Sequence, residues 1–432
     1  MPYTVGIYTL GCKVSQYESI AIAEGFEALG FTVLPFEEPC DVYVINTCTV
    51  TAESDRKCRQ IIRRAAKRNA VVLVCGCYSQ VSKDEVASID GVKYVGGNYN
   101  KNKIPEIALE LLLDQNSNTT MIDVTDIDTC GFEKMCIHSA PRTRVYVKIE
   151  DGCESRCTYC IIPSARGRIR SKEPADIIKE IRGLAASGVR EVVLTGIETA
   201  SYGRDLVGVT LIDIIEQTAL IDGIKRIRLG SLDPSSINED FVIRASKLPK
   251  FARHFHLSMQ SGSSAVLARM KRKYNAKQAM SKIRLIRQYM PDAAFTTDMM
   301  VGFPSESEAE FAETCDFARE AKFLFMHIFP YSRRKGTPAA EYGGQIPEQI
   351  KHERARELGD IRDMIADEVR RELLPIGTIT EVLFETYDDG YMKGHTANFV
   401  EVRVRADRDM HGEIHRTRIT NNANPICEAE LI

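Results

Sequence analysis

Between residues 144 and 329 the sequence repeats one unit six times: an apolar strand, a loop rich in Gly, Ser or Pro, and a helical stretch. Strands that alternate with helices form parallel sheets, and eight such units close a complete barrel. Six units therefore predict a partial (β/α)6 barrel, with an open side that can admit a large substrate. The predicted strands are Arg144–Glu150, Glu191–Thr195, Ile224–Gly230, His254–Met259, Ala293–Met299 and Phe323–Phe329.

The segments on either side of this repeat have different patterns. Residues 1–125 alternate strands and helices, which indicates a separate parallel α/β sheet domain. We place the barrel domain at 139–370, closed by a charged helix predicted over 348–374. Residues 371–432 carry short alternating strands, the pattern of a small antiparallel β-barrel. The predicted strands of the two flanking domains are 3–10, 41–46, 71–75 and 92–95, then 378–384, 399–405, 413–419 and 429–432.

The composition narrows the function classes. A formal net charge of −3 over 432 residues means that any surface for nucleic acid must be local. No apolar run approaches the roughly 20 residues of a membrane helix, and the first residues lack the pattern of a signal peptide. We therefore expect a cytoplasmic protein with reduced thiols. In that compartment 13 cysteines point to metal binding or catalysis rather than to disulfides.

One loop of the predicted barrel carries three cysteines at CxxxCxxC spacing, directly after the first strand: Cys153, Cys157 and Cys160. Barrel active sites lie at this end of the strands. The spacing allows three thiolates to face three irons of a [4Fe–4S] cluster, which leaves the fourth iron open for a substrate or cofactor. The alternative is a structural zinc site, which needs Cys130 or Cys136 as its fourth ligand. We favour the cluster, because a closed structural site at a catalytic mouth would be unusual.

This motif, with an aromatic residue before its last cysteine, resembles the radical S-adenosylmethionine superfamily. The resemblance implies that the open iron chelates the amino and carboxylate groups of S-adenosylmethionine. Reductive cleavage of the cofactor then gives a 5′-deoxyadenosyl radical that abstracts hydrogen. The segment 195–198 resembles the superfamily's Gly-Glu motif, and 258–263 lies at another strand end, although either could be a turn with satisfied polar groups. The predicted cofactor-binding residues are Tyr159, Gly196, Glu198, Ser258 and Gln260.

Three further cysteines, Cys12, Cys48 and Cys77, lie far apart in the sequence, each at the end of a predicted strand of the first domain. Ligands of open α/β sheets bind outside the carboxyl ends of the strands, so these thiols are expected to converge at one edge. Three thiols again imply a cluster with one open iron. The alternative is three ordinary buried cysteines. Cys75 competes with Cys77, because strand alternation places both on one face.

The pair of triads resembles the methylthiotransferase family over essentially the whole chain, and the family pattern favours Cys77 over Cys75. The resemblance implies an auxiliary [4Fe–4S] cluster on the first domain, a radical cluster on the barrel, and a C-terminal TRAM domain that binds RNA. It also implies insertion of a sulfur and a methyl group at an unactivated carbon. Of two S-adenosylmethionine molecules, one methylates a sulfur carried on the auxiliary cluster and the other supplies the radical.

Family members act on tRNA or on a ribosomal protein, and basic residues concentrated around the predicted mouth favour RNA. The segments 10–19, 151–153, 160–167 and 329–334 most resemble the branch that modifies N6-threonylcarbamoyladenosine, beside the tRNA anticodon. Val14-Ser15 and Glu154-Ser155 depart from that branch. The threonylcarbamoyl group carries a carboxylate, so its pocket should hold cations. The predicted substrate-binding residues are Arg166, Arg168, Arg333 and Arg334, among basic residues at 142, 144, 148, 156, 170, 172, 269, 271–273 and 335.

Other functions remain open at this point. The chain could modify isopentenyladenosine in tRNA or a ribosomal-protein aspartate, or it could be an iron–sulfur protein that binds RNA or transfers electrons. The acidic C-terminal segment could bind RNA only through a local patch, such as Arg403, Arg405, Arg416 and Arg418. Its alternative role is that of a structural lid or a protein-binding module. The predicted partners are the tRNA anticodon stem-loop and an electron donor such as flavodoxin or ferredoxin. No general base and no sulfur source follow from the sequence.

Overall fold

The computed structural model describes residues 2–114, 119–138, 143–423 and 425–432. Predicted connector residues at 115–118 and 139–142, Arg142 among them, lie outside this range. The first domain is a six-stranded parallel sheet in the order β2-β1-β3-β4-β5-β6. The four predicted strands are confirmed, and two three-residue strands extend the edges. Its elements are β1 Thr4–Thr9, α1 Lys13–Ala28, β2 Thr32–Leu34, β3 Val42–Thr47, α2 Ala52–Ala66, β4 Val71–Gly76, α3 Cys77–Val81, α4 Lys83–Ala87, β5 Val92–Gly96, α5 Ile104–Leu113 and β6 Met121–Asp123.

The second domain is the predicted partial barrel. Its parallel strands run in the order β7-β10-β11 and then β12-β13-β14-β15, with Gly230 between β11 and β12. Helices cover the outer face. The elements are β7 Arg144–Lys148, β8 Glu150–Asp151, α6 Ile162–Arg166, β9 Arg170–Ser171, α7 Pro174–Ala186, β10 Glu191–Thr195, α8 Leu211–Ala219, β11 Arg226–Leu229, β12 Ser231–Leu232, α9 Glu239–Ser246, β13 His254–Gln260, α10 Ser264–Arg269, α11 Ala276–Tyr289, β14 Ala294–Val301, α12 Glu308–Ala321, β15 Phe325–Pro330 and α13 Glu348–Leu373.

The third domain is a closed five-stranded barrel in the order β16-β17-β18-β20-β19. Its strands pair antiparallel as predicted, except that β18 and β20 are parallel. One strand, β17, was not predicted, because Gly394 interrupts its apolar pattern. A side chain at Gly394 would meet the backbone of Leu383, so the close strand pairing there requires glycine. The strands are β16 Ile379–Asp388, β17 Tyr391–Thr396, β18 Glu401–Arg405, β19 Ile414–Asn421 and β20 Cys427–Leu431.

The first two domains share one hydrophobic core, which places their strand ends against each other. Buried residues of α1, such as Tyr17 and Phe26, belong to the same apolar cluster as Val145 and Leu194 of the barrel strands. The Tyr17 hydroxyl also donates to Glu180 on α7, at 2.8 Å. Because α1 begins at Lys13, this packing holds the first cysteine of the sheet beside the barrel.

Among the residues that the structure describes, no helix combines the length and the apolar character needed to span a membrane.

Candidate active site and the two cysteine triads

The barrel mouth contains a cavity of about 410 Å³. All three cysteines of the CxxxCxxC loop line this cavity, as do four of the five residues predicted to bind the cofactor. We call Cys153, Cys157 and Cys160 the loop triad. The fifth predicted residue, Gly196, lies against Glu150, so closely that an added Cβ would be 2.3 Å from its Oε2 atom. Principal lining residues are Val50, Thr51, Cys153, Cys157, Tyr159, Cys160, Glu198, Ser231, Asp233, Ser258, Gln260, Arg272, Asp298 and Met300.

Glu198 and Gln260 reach the cavity from different strand ends. Cys153 donates its thiol hydrogen to Glu198 Oε2 at 3.2 Å, and the Ser155 hydroxyl lies 3.4 Å from the same oxygen. Coordination of the Cys153 thiolate to iron would remove this bond and leave the Glu198 carboxylate available to an ammonium group. Gln260 follows an irregularity at the end of β13 and has φ of 65°, a left-handed conformation that is rare for residues with a Cβ.

A buried arginine contacts the loop triad. Arg272 Nη1 donates to Cys157 Sγ at 3.4 Å, while Nη2 pairs with Asp233 at 2.7 Å and donates to the Ser258 carbonyl at 2.9 Å. The Arg272 side chain is 8% exposed. It belongs to the basic run at 269–273, for which the sequence predicts contact with RNA. The guanidinium instead orders the wall of the cavity.

The other three predicted cysteines meet where strands of the first sheet end. Cys12 follows β1, Cys48 follows β3 and Cys77 follows β4, and we call them the sheet triad. A Cβ added to Gly11 would lie 3.4 Å from the Cβ of Cys48, which shows how closely two of these strand ends approach. Gly76, with φ of 102°, makes the turn into α3, and a Cβ there would lie 2.6 Å from the carbonyl oxygen of Thr47.

Cys77 is buried and receives two N–H···S contacts from other parts of the chain. Arg166 Nε donates to its Sγ atom at 3.1 Å, and the side-chain amide of Asn98 donates at 3.4 Å. Arg166 belongs to the barrel domain, so the contact crosses between domains. The Arg166 side chain is fully buried. We predicted Arg166 as a substrate-binding residue; the structure instead places its guanidinium on Cys77, Glu18 and Asp151, away from the surface.

Arg166 is part of a buried ion network with an excess of cations. Burial opposes ionisation of Glu18, but Arg166, Lys101 and Lys148 outweigh burial and hold the pKa of Glu18 well below its usual value. In the ion pairs of this network four cations share two carboxylates. Buried excess charge is costly unless a counter-charge is present. The excess beside Cys77 therefore fits a negatively charged thiolate–iron cluster. The cations are Lys101, Lys148, Arg166 and Arg170, and the carboxylates are Glu18 and Asp151.

Several thiols of both triads are poor anions without a metal. Burial raises the pKa of Cys48 to about 11, and the neighbouring Cys77 and Cys12 add to the rise. Burial likewise raises the pKa of Cys160 to about 11. Metal binding would release these protons, because thiolates are the ligands. Across the described residues no three His, Cys, Asp or Glu side chains are grouped for a single metal ion. Cys130 Sγ lies 3.5 Å from the carbonyl oxygen of Asp126, and Cys136 Sγ lies 3.6 Å from His138 Nε2.

The remaining predicted arginines divide between the interior and the surface. Arg334 is buried and pairs with Asp55 and with Thr49 Oγ1, so it joins the end of β15 to the loop that follows Cys48. Arg168 and Arg333 are exposed, and each donates to a backbone carbonyl, of Asp128 and Ala340 respectively. Of the basic residues considered for RNA, those exposed near the mouth are Arg156, Arg168, Lys271, Lys273, Arg333 and Lys335.

A second cavity, of about 390 Å³, lies in the lumen of the barrel and shares Ser231 and Asp298 with the mouth cavity. Cys12 and Lys13 lie in its wall, so this cavity borders the sheet triad. From the third domain, Phe399 enters the opposite end and stacks on His254 with ring centroids 4.5 Å apart. Lys13, Glu18 and Asn98 were not predicted from the sequence to be functional residues. Of these three residues, only Lys13 could have been found from the sequence, because it directly follows Cys12.

Comparison with known proteins agrees with this geometry. The Radical SAM superfamily profile matches residues 147–318, and a family described as uncharacterized, UPF0004, matches residues 4–97. A threonylcarbamoyladenosine tRNA methylthiotransferase of Bacillus subtilis, MtaB, is 37% identical over 99% of this chain and 96% of the relative. The chain belongs to the radical S-adenosylmethionine methylthiotransferase family. It is therefore an enzyme, and membership of the superfamily implies a [4Fe–4S] cluster and S-adenosylmethionine as cofactors.

Other relatives carry two kinds of name. The Thermotoga maritima protein named as the same threonylcarbamoyladenosine enzyme is 34% identical over 99% of this chain and 98% of its own length. A tRNA-2-methylthio-N(6)-dimethylallyladenosine synthase of Acetivibrio thermocellus is 32% identical over 98% of this chain and 90% of its own length. A solved radical S-adenosylmethionine methyltransferase, TsrM from Kitasatospora setae, shares the fold with a TM-score of 0.58 at 14% identity, covering 84% of this chain and 89% of that one.

Proposed function

We propose that the enzyme methylthiolates C2 of N6-threonylcarbamoyladenosine at position 37 of tRNA. Two S-adenosylmethionine molecules would be consumed, one as methyl donor and one as source of the 5′-deoxyadenosyl radical, with the transferred sulfur carried on the auxiliary [4Fe–4S] cluster. The division into residues 1–125, 139–370 and 371–432 is part of this proposal. The proposed reaction is supported by the position of the two triads, which border adjoining cavities. Cys12 lines the lumen cavity, and Val50 and Thr51, just beyond Cys48, line the cavity of the loop triad.

The residues of the mouth fit the cofactor's polar groups. Glu198 would receive the amino group of S-adenosylmethionine once Cys153 is bound to iron, and Ser258 and Gln260 offer hydrogen bonds to its ribose or carboxylate. Tyr159 packs beside the cysteines. The bound cofactor would supply the radical, and the chain's own contribution is to orient it and to exclude water. We assign Cys153, Cys157 and Cys160 to the radical cluster and Cys12, Cys48 and Cys77 to the auxiliary cluster.

The choice of substrate rests on the relatives and on charge. Those with the highest identities here, 37% and 34%, are named for threonylcarbamoyladenosine, against 32% for the dimethylallyl enzyme. We propose that the exposed arginines Arg168 and Arg333 contact the phosphate backbone of the anticodon stem-loop. Reduction would come from a flavodoxin or ferredoxin. We place the reaction in the cytoplasm, together with the tRNA on which the relatives are named to act.

Anaerobic reconstitution with defined RNA tests the proposal. The purified chain should bind about eight irons, as two cubanes require, and form 5′-deoxyadenosine with S-adenosylmethionine and dithionite. It should then methylthiolate an anticodon stem-loop that carries threonylcarbamoyladenosine, and should act far less on one that carries isopentenyladenosine. Preference for the isopentenyl stem-loop would overturn the substrate assignment. Cofactor left intact would overturn the radical mechanism.

A further inference from the structure

The wall of the lumen cavity contains a lysine with no partner. Lys13, the first residue of α1, lines the cavity, and it makes no hydrogen bond or ion pair with any residue in the described part of the chain. A buried or half-buried ammonium group is normally paired, because its desolvation is otherwise uncompensated. The lone Lys13 ammonium therefore points to an anionic ligand in this cavity.

Other charged groups of the wall already have partners. Arg144 pairs with Glu385 at 3.0 Å, and Arg228 pairs with Glu191 at 2.8 Å. Asp298 accepts from His256 at 3.1 Å. Both arginines line the same cavity as Lys13 and add positive charge to its wall. Among the described residues of the wall, Lys13 is thus the cation without an ion-pair partner. The positive charge around it favours an anionic ligand.

The position of Lys13 fits one part of the proposed substrate. The cavity borders the sheet triad through Cys12 and joins the mouth cavity at Ser231 and Asp298, so its contents lie between the two cysteine triads. An adenosine that receives a group from one site and a radical from the other would extend its N6 substituent into such a space. The threonylcarbamoyl substituent ends in a carboxylate, whereas an isopentenyl substituent has no charge.

We propose that Lys13 is a specificity-determining residue that binds the carboxylate of the threonylcarbamoyl group; the proposal rests on the function proposed above. Thr195, on the same wall, offers a hydroxyl group to a remaining lone pair of the carboxylate. This assignment replaces the four arginines predicted from the sequence, of which Arg166 and Arg334 are buried against other partners.

The test compares two anticodon stem-loops on the reconstituted enzyme: one with threonylcarbamoyladenosine, and one in which its carboxylate is converted to a neutral carboxamide. A charge-assisted hydrogen bond predicts that wild type prefers the carboxylate by about 10- to 100-fold in kcat/KM. Lys13→Gln should lower this preference to near onefold, and Lys13→Arg should restore part of it. Lys103→Gln, an exposed lysine of the same domain, should keep the wild-type preference. Iron content and stem-loop affinity are measured for each variant.

Two results would overturn the role of Lys13. One is equal loss on both stem-loops in Lys13→Gln with normal iron content, which would place Lys13 on the cofactor or the fold. The other is a wild-type enzyme with equal kcat/KM on the carboxylate and carboxamide stem-loops. This second result needs only the wild-type enzyme, so it can be obtained even if every Lys13 variant fails to assemble its clusters. Absence of any wild-type activity on either threonylcarbamoyl stem-loop, with activity on isopentenyladenosine, would instead reject the proposed function itself.

Discussion

The loop triad lies within eight residues of one loop, whereas the sheet triad is assembled from three strand ends between residues 12 and 77. Both triads have one thiol against a buried arginine: Arg272 contacts Cys157, and Arg166 contacts Cys77. The arginine of the loop triad comes from its own domain, but that of the sheet triad comes from the neighbouring one. The loop triad is therefore formed within a single domain, whereas the environment of the sheet triad depends on how two domains pack.

Loss of the loop triad should have the largest effect. Cys157→Ala removes one of three ligands, and we expect no 5′-deoxyadenosine and no methylthio product, with iron falling from about eight to about four per chain. Iron analysis and chromatography of the cofactor products check this. Continued formation of 5′-deoxyadenosine would show that the radical cluster is held elsewhere.

Loss of the sheet triad should separate the two activities. In Cys48→Ala we expect 5′-deoxyadenosine to persist while the methylthio product disappears, and iron again to fall to about four. The reason is that the loop triad and its cavity stay intact. Cys58→Ala is a matched control, because Cys58 is buried beside Cys48 but outside the triad. A Cys48→Ala enzyme that still forms product would contradict the role of this triad.

The buried ion network beside the sheet triad should contribute several kcal/mol to the free energy of unfolding. Glu18→Gln leaves Arg166, Lys101 and Lys148 without their shared carboxylate, and breaking a buried pair costs about 3–5 kcal/mol in the free energy of unfolding. Denaturant unfolding of the iron-free protein measures the loss. Glu53→Gln, which breaks an exposed pair with Arg56, should leave the free energy of unfolding nearly unchanged. Equal effects of the two substitutions would mean that the network adds nothing.

Each arginine should tune only its own cluster. Hydrogen bonds and positive charge near the sulfurs raise the reduction potential of a cluster, so Arg166→Gln should lower that of the auxiliary cluster by on the order of tens of millivolts. Arg272→Gln should do the same to the radical cluster. Redox titration followed by electron paramagnetic resonance separates the two signals. A shift of both potentials by either substitution would show that the triads are not independent.

The smallest effect is the dependence of the Glu18 contribution on pH. The pKa of Glu18 in the folded protein is well below the value of 4.5 for an unperturbed group. Its contribution is therefore complete above about pH 4.5 and is lost as the pH falls toward the lowered pKa. The difference in unfolding midpoint between wild type and Glu18→Gln should narrow from pH 7 to pH 3. A difference that does not change with pH would mean that Glu18 is uncharged in the folded protein.

Local patterns made much of this molecule predictable. The barrel strands and both triads were predicted, because each depends on a repeat or on a residue at a strand end. The three-residue edge strands β2 and β6 were not predicted, since so short a pattern carries little periodicity. The burial of the arginines was harder to predict than the strands. Arg166 and Arg334 lie in basic runs like those of solvated surfaces, and their partners Glu18 and Asp55 are more than 100 residues away.

Nucleoside mass spectrometry of tRNA from cells that lack this protein tests the central claim most directly. The account predicts that the 2-methylthio derivative of N6-threonylcarbamoyladenosine disappears while its unmethylthiolated precursor accumulates. Re-expression of the wild-type chain, but not of Cys48→Ala, should restore the derivative. Loss of the methylthio derivative of isopentenyladenosine, with the threonylcarbamoyl derivative unchanged, would contradict the account.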